Sequence, residues 1–268
     1  MNRGTNDFFS VLRRHRSLVF ELSRREFEDR YKGSAAGVLW AFAQPLLMLS
    51  IYALAFGMIL KVRWGGSQST GEYVLMMFAG LIVVNALTEC MTRSVTRIAG
   101  NPNFVKKVVF PLELLPVVVV LSALMHFLIA TLVWLVGYGV LRGTPDWSVL
   151  GFVWGMLAYI PLLLGVAWLF AGLGVFMKDL GQVTGIIGHA LLFLTPVFYS
   201  VDMAPAMLQD VLRWNPLTYI VEQYRAALYF GIMPDPYAWL GYSLLASLFA
   251  WGALVIFNRL RPAFPDRV

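Results

Sequence analysis

Five stretches of this chain run without a single charged residue for at least the roughly 20 positions that a helix needs to cross a bilayer. They are Ala35 to Leu60, Leu114 to Leu141, Ser148 to Met177, Leu180 to Val201 and Pro236 to Asn258. A sixth, Tyr73 to Met91, is interrupted only by Glu89, which stands one helical turn from Arg93 and is spaced to pair with it near a membrane interface. A chain of 268 residues that is 59% hydrophobic and 13% charged has far more apolar surface than a water-soluble core of that size can enclose. In lipid each backbone N–H and C=O must be satisfied inside its own span, so these runs predict an all-α integral membrane protein with six transmembrane helices.

The basic residues orient it. Sixteen of the 21 Lys and Arg fall in the N-terminal arm, in the loops after the second and fourth spans, and in the tail, while Lys61, Arg63, Arg142, Arg213 and Arg225 fall on the opposite side. The positive-inside rule therefore places both termini in the cytoplasm, and the net charge of +6 reflects topology rather than affinity for nucleic acid. The opening residues lack the basic, apolar and small-residue succession of a removable signal, so the first span is expected to serve as the insertion signal.

Three segments outside the spans carry a pattern. In residues 1–34, Phe8, Val11, Leu12, Leu18, Val19 and Leu22 recur at helical spacing, opposite a face bearing Arg24, Arg25 and Glu28. This amphipathic cytoplasmic arm is expected to lie on the membrane, either as a plain anchor or with a functional role. Residues 98–110 form a short helix with sequence-defined ends. Asn101 is placed to cap it, Pro102 to occupy its first position, and Pro111 to stop it. Phe104, Val105, Val108 and Val109 share one side, and Asn103, Lys106 and Lys107 the other. So short a helix must dock on something, and lipid and a partner protein fit it equally. The third segment, 202–235, lies outside the membrane. It contains a helix up to Trp214, the cap and first-turn pair Asn215 and Pro216, and a half-apolar helix in which Tyr224 faces inward and Glu222 is spaced to pair with Arg225. Pro196 breaks the fifth span, so Thr195 to Tyr199 with this helix are expected to make a re-entrant dip.

Other chemistry is sparse. Cys90 stands alone and reads as a packing residue. His126 and His189, inside the third and fifth spans, lack further metal ligands at helical spacing and read as neutral side chains bonded to neighbouring helices, so no metal is expected. No Gly-x-Ser-x-Gly and no carboxylate pair within a span supports an intramembrane enzyme. With Glu89 as the sole acidic group in a span, at its edge, an ion-coupled transporter is poorly supported. No phosphate-binding Gly-x-x-x-x-Gly-Lys-Ser/Thr loop occurs, so any ATP and Mg would be bound by another subunit and this chain carries no cofactor of its own.

Residues 101–116, Asn-Pro-Asn-Phe-Val-Lys-Lys-Val-Val-Phe-Pro-Leu-Glu-Leu-Leu-Pro, closely resemble the cytoplasmic loop of ABC-2 type permeases that export bacterial polysaccharides such as O-antigen, teichoic acid or capsule. The entry to the first span agrees: Arg24 to Ser34, including Arg30 and Lys32, then Gly37-Val38-Leu39-Trp40 and Gln44-Pro45-Leu46. So do Trp214-Asn215-Pro216-Leu217-Thr218 with Val221 to Arg225, and Lys178-Asp179-Leu180. These separated matches follow the family's order, and the resemblance runs through almost the whole chain. The resemblance implies a homodimer around a central pathway in the bacterial inner membrane, two copies of a P-loop ATPase on its cytoplasmic face, and a lipid-linked polysaccharide as substrate. It makes Asn101 to Val109 the coupling helix, with Lys106 and Lys107 meeting polar groups and Phe104 or Val108 filling an apolar hollow in the ATPase. The arm residues Arg24, Arg25, Glu28, Arg30 and Lys32 would gate the substrate. Export of a drug or lipid rather than a polymer is the alternative within the family.

Sugars present C–H faces that lie flat on aromatic rings. Rings at span ends, such as Trp64 and Trp239, belong to the interfacial belt. Deeper ones are candidates for the pathway: Trp40, Tyr52, Tyr138, Tyr159, Phe193, Phe198 and Tyr199, although helix packing is the simpler role for each.

Overall fold

The structure, a computed structural model, describes residues 5–60, 70–106, 110–145 and 147–268. Among them every regular element is helical. Two arm helices, α1 (Thr5–Arg14) and α2 (Arg16–Asp29), lead to α3 (Trp40–Tyr52), which continues as a π-helical stretch, Ala53–Ile59. Then follow α4 (Thr70–Arg97), the one-turn α5 (Pro102–Lys106), α6 (Leu114–Arg142), α7 (Phe152–Gly174) and α8 (Leu180–Leu194). The last are α9 (Ala206–Trp214), α10 (Pro216–Arg225) and α11 (Pro236–Leu260).

Among the described residues, five helices are long and apolar enough to cross a membrane: Gly37–Phe56, Gly71–Arg97, Leu114–Arg142, Trp147–Gly174 and Pro236–Ala263. The sixth expected span is shorter than its apolar run. Helix α8 stops at Leu194, because Thr195 turns to an extended conformation ahead of Pro196. Its 15 residues rise about 22 Å, less than the roughly 30 Å of hydrocarbon. The second span departs in the other direction. Glu72, Arg93 and Arg97 lie inside α4, because charges that pair at the interfaces do not stop a helix.

Helix α4 is the axis of the bundle. It is buried over most of its length, touching α6, α7, α8 and α10, whereas α3 is buried almost nowhere. Where α4 meets α7 the backbones nearly touch: a Cβ on Gly174 would stand 2.1 Å from the Val95 carbonyl oxygen. Polar aromatics stitch this apolar core by donating to main-chain carbonyls. Trp134 Nε1 reaches Leu75 O at 2.7 Å, Tyr159 Oη reaches Val83 O at 2.8 Å, and Trp168 Nε1 reaches Glu113 O at 2.9 Å. Each such bond contributes on the order of 0.6 kcal/mol in a membrane bundle. Ion pairs close both ends. Arg142 meets Glu72 at 2.5 Å at one end of α4 and α6, and Arg261 meets Glu113 at 2.7 Å at the other.

The arm packs on the bundle in both of its halves. Phe27 and Tyr31 are buried against α6, with Met125 and Ile129 beside them. Phe8 packs edge-on to Trp168 at 5.2 Å. Phe9 and Phe20 stay exposed, as lipid-facing rings do.

Candidate functional site

Helix α4 delivers a row of charges to the end of the bundle that also holds the arm. Glu89, Arg93 and Arg97 recur every fourth residue and so share one face. Along α2, Glu26 and Arg30 do the same with opposite signs, and the two rows meet. Glu26 takes Arg93 Nη1 at 3.1 Å on one carboxylate oxygen and Arg97 Nη1 on the other. One oxygen of Glu89 accepts from Arg30 Nη1 at 3.0 Å and lies 3.3 Å from Arg93 Nε and 2.9 Å from His126 Nδ1. Arg30 Nη1 also stands 3.3 Å from His126 Nδ1, so the imidazole is held between the arginine and the carboxylate. Glu26, Glu89, Arg97 and His126 are less than one-fifth exposed, so these are screened weakly and removing one partner strands a charge.

Sequence reasoning found the Glu89–Arg93 pair and placed His126 against another helix, and both hold. It missed Glu26, whose signal lay in the complementary four-residue spacings of the two rows. Of the expected arm residues, Arg30 joins the network. Arg24 pairs with Glu28 at 2.8 Å, and Lys32 with Asp29 at 3.4 Å, on the exposed side; Arg25 is also exposed.

The network lies under a cavity of about 460 Å³ between α3, α4 and α6. Arg30, Glu89, Arg93 and His126 line it at one end, and Gln44, Tyr52 and Asn85 farther along. A second hollow, of about 470 Å³, shares Arg30, Tyr31, Gln44 and Met48 and extends past Trp40. Trp40 and Tyr52 thus border open space. The other aromatic candidates divide differently. Tyr159 is completely buried and bonded to Val83, which favours for it the packing role named as the simpler one. Tyr138 stacks on Trp134 at 5.3 Å, and Phe198 on Phe56 at 6.0 Å. Phe193 is exposed, and its carbonyl accepts from the Tyr199 hydroxyl at 2.6 Å.

Beyond Arg97 the chain turns into α5. Asn101 donates its amide nitrogen back to Arg97 O at 2.8 Å, closing the end of α4, and α5 begins at Pro102 as expected. Phe104 leans on Phe110, ring centres 5.0 Å apart, and Val105 packs beside the same cluster. The exposed face is therefore Pro102, Asn103 and Lys106. Lys107 and Val108 lie outside the described residues.

At the opposite end of α4, Asn215 caps α10 by accepting from Leu217 N at 2.9 Å, with Pro216 in the first turn and Trp214 exposed before it. Arg225 turns inward, 5% exposed, and donates to Met76 O at 2.8 Å, Pro196 O at 2.5 Å and Val197 O at 2.7 Å. The last two bonds satisfy carbonyls freed by the break after α8, and the first ties them to α4. Glu222 is exposed on α10, and its charge still acts on Arg225. The Tyr224 hydroxyl meets that of Thr131 inside the core.

Comparison with known proteins bears on what such a bundle does. The model of a family described as ABC-2 type transporter matches residues 17–229. The O-antigen export system permease protein RfbA of Myxococcus xanthus is 26% identical over 264 residues, 96% of this chain and 97% of that protein. A permease of the same name from Klebsiella pneumoniae is 27% identical, covering 93% of this chain and 94% of its own length. The polysialic acid transport protein KpsM of Escherichia coli is 25% identical over 81% of this chain and 83% of its own.

Proposed function

The chain belongs to the ABC-2 type transporter family, and from that premise we propose that it is the channel-forming permease of an ATP-driven exporter in the bacterial inner membrane. Its substrate is a lipid-linked polysaccharide, O-antigen-like, carried outward from the cytoplasm. The observation that carries this reading is the end-to-end alignment with O-antigen export permeases. Export of a capsule polymer is the second reading, favoured by the similarity to the polysialic acid and capsule export proteins.

The permease acts as a homodimer with two copies of a P-loop ATPase, which hold ATP and Mg. The nearly unburied apolar surface of α3 supports a second copy or lipid beside it. Six passes leave both termini inside, with α8 and the bonded turn after it forming the fifth pass and its re-entrant continuation toward α9 and α10. The distribution of Lys and Arg supports that orientation. Asn101 to Val108 form the coupling segment, and the exposed Asn103 and Lys106 support contact with a partner there. ATPase closure pushes this segment, the helices tilt, and a path opens for a polymer too long for a closed pocket. Trp40 and Tyr52 border that path; the arm controls entry, and the segment of Trp214 to Arg225 closes the far end.

Inverted membrane vesicles holding this chain, its ATPase and a labelled lipid-linked glycan test the proposal. ATP should make the glycan inaccessible to an added glycosidase. Glycan that stays equally accessible with and without ATP refutes transport.

A further inference from the structure

We infer that Glu26 is a positioning residue that transmits movement of the coupling segment to the mouth of the cavity. The inference rests on the reading of Asn101 to Val108 as the segment that receives the ATPase stroke. Glu26 joins two successive turns of α4, through Arg93 at 3.1 Å and through Arg97. Arg97 is itself joined to α5, since its carbonyl accepts the amide of Asn101 at 2.8 Å. A push on α5 therefore reaches Arg97, then Glu26, then α2. One helical turn beyond Glu26, the same helix end carries Arg30, which borders both hollows and holds Glu89 at 3.0 Å.

The charges make this connection directional. The second half of α2 rests its apolar side, Phe27, on α6, so its hold on α4 in this region is ionic. Arg93 is shared between Glu26 and Glu89, with its Nη1 on the first and its Nε on the second. A carboxylate with both oxygens in use is required to grip two turns at once. Gln keeps the shape and loses the charge, and Asp keeps the charge and shortens the reach.

The test uses the complete transporter, permease with ATPase, in membranes. With Glu26→Gln, the ATPase should copurify at the wild-type level and ATP hydrolysis should continue within about twofold, while glycan export falls about tenfold or more. Glu26→Asp, which keeps the charge and can still hold one of the two arginines, should export at a level clearly above that of Glu26→Gln. Normal export by Glu26→Gln overturns the inference, and so does export by Glu26→Asp no better than by Glu26→Gln. Lys106→Glu separates the premise from the inference. Loss of copurification there, together with normal export by Glu26→Gln, overturns the relay alone; unchanged copurification removes the coupling segment and the relay together.

Discussion

Gly80 of α4 exists as a recess for Arg225: a Cβ on that glycine would stand 2.9 Å from Arg225 Nη2 and 3.3 Å from the Val197 backbone. Through this recess the guanidinium reaches carbonyls on both α4 and the broken segment after α8. Gly80→Ala should therefore lower stability by about 1–3 kcal/mol through overpacking against backbone. Arg225→Met, which removes the donor from the Pro196 and Val197 carbonyls and the tie to Met76, should cost about 3 kcal/mol or more, and Arg225→Lys less. Thermal unfolding of the purified protein in one detergent checks the order; equal melting of Gly80→Ala and wild type would refute the recess.

The coupling segment divides into a docked face and an exposed one. Phe104→Ala should cost about 1–3 kcal/mol, because its ring is half-buried on Phe110. Asn103→Ala and Lys106→Glu should leave the melting temperature unchanged within about 0.5 kcal/mol and reduce copurification of the ATPase. Measuring both quantities on the same preparations distinguishes these roles. Normal copurification by a Lys106→Glu and Asn103→Ala double variant contradicts the coupling role.

Three rings of the pathway set should respond in two opposite ways. Tyr159→Phe removes a buried bond to Val83 and should lower stability by about 1 kcal/mol with export intact. Trp40→Ala and Tyr52→Ala border open space and should lower export severalfold while changing the melt by less than about 1 kcal/mol. Surface glycan measured beside thermal stability decides it.

The close crossing of α4 and α7 sets another limit. Gly174→Ala would drive a methyl into the Val95 carbonyl, 2.1 Å away, and the obstacle is backbone rather than a side chain that can swing aside. Membrane levels of this variant should fall severalfold, an effect of more than about 2 kcal/mol on the folded state. Wild-type abundance and melting would show that the helices do not cross so closely.

How much of this was legible in the sequence follows from how local each cause is. The long spans were readable because lipid imposes a length and an apolar composition on a single segment. The shortening of α8 was half readable: Pro196 marked the break, but the compensating donor, Arg225, comes 29 residues later. The ends of α4 were misplaced because Glu72 and Arg93 look like span boundaries until their partners, Arg142 and Glu26, are placed beside them. For the same reason the arm's contacts with the bundle were not legible. Its charges suit headgroups and carboxylates equally, and only the fold brings Glu26 within reach of residues 67 and 71 positions away. Asn101 shows the limit even at short range, since an amide beside a helix start can also donate backward, as here.

The most direct measurement is the fate of the glycan in cells lacking this chain. Deletion should leave lipid-linked glycan inside the inner membrane and remove it from the cell surface, with restoration by the intact chain and not by one whose residues 101–108 are replaced with a flexible linker. Undiminished surface glycan in the deletion would contradict the account.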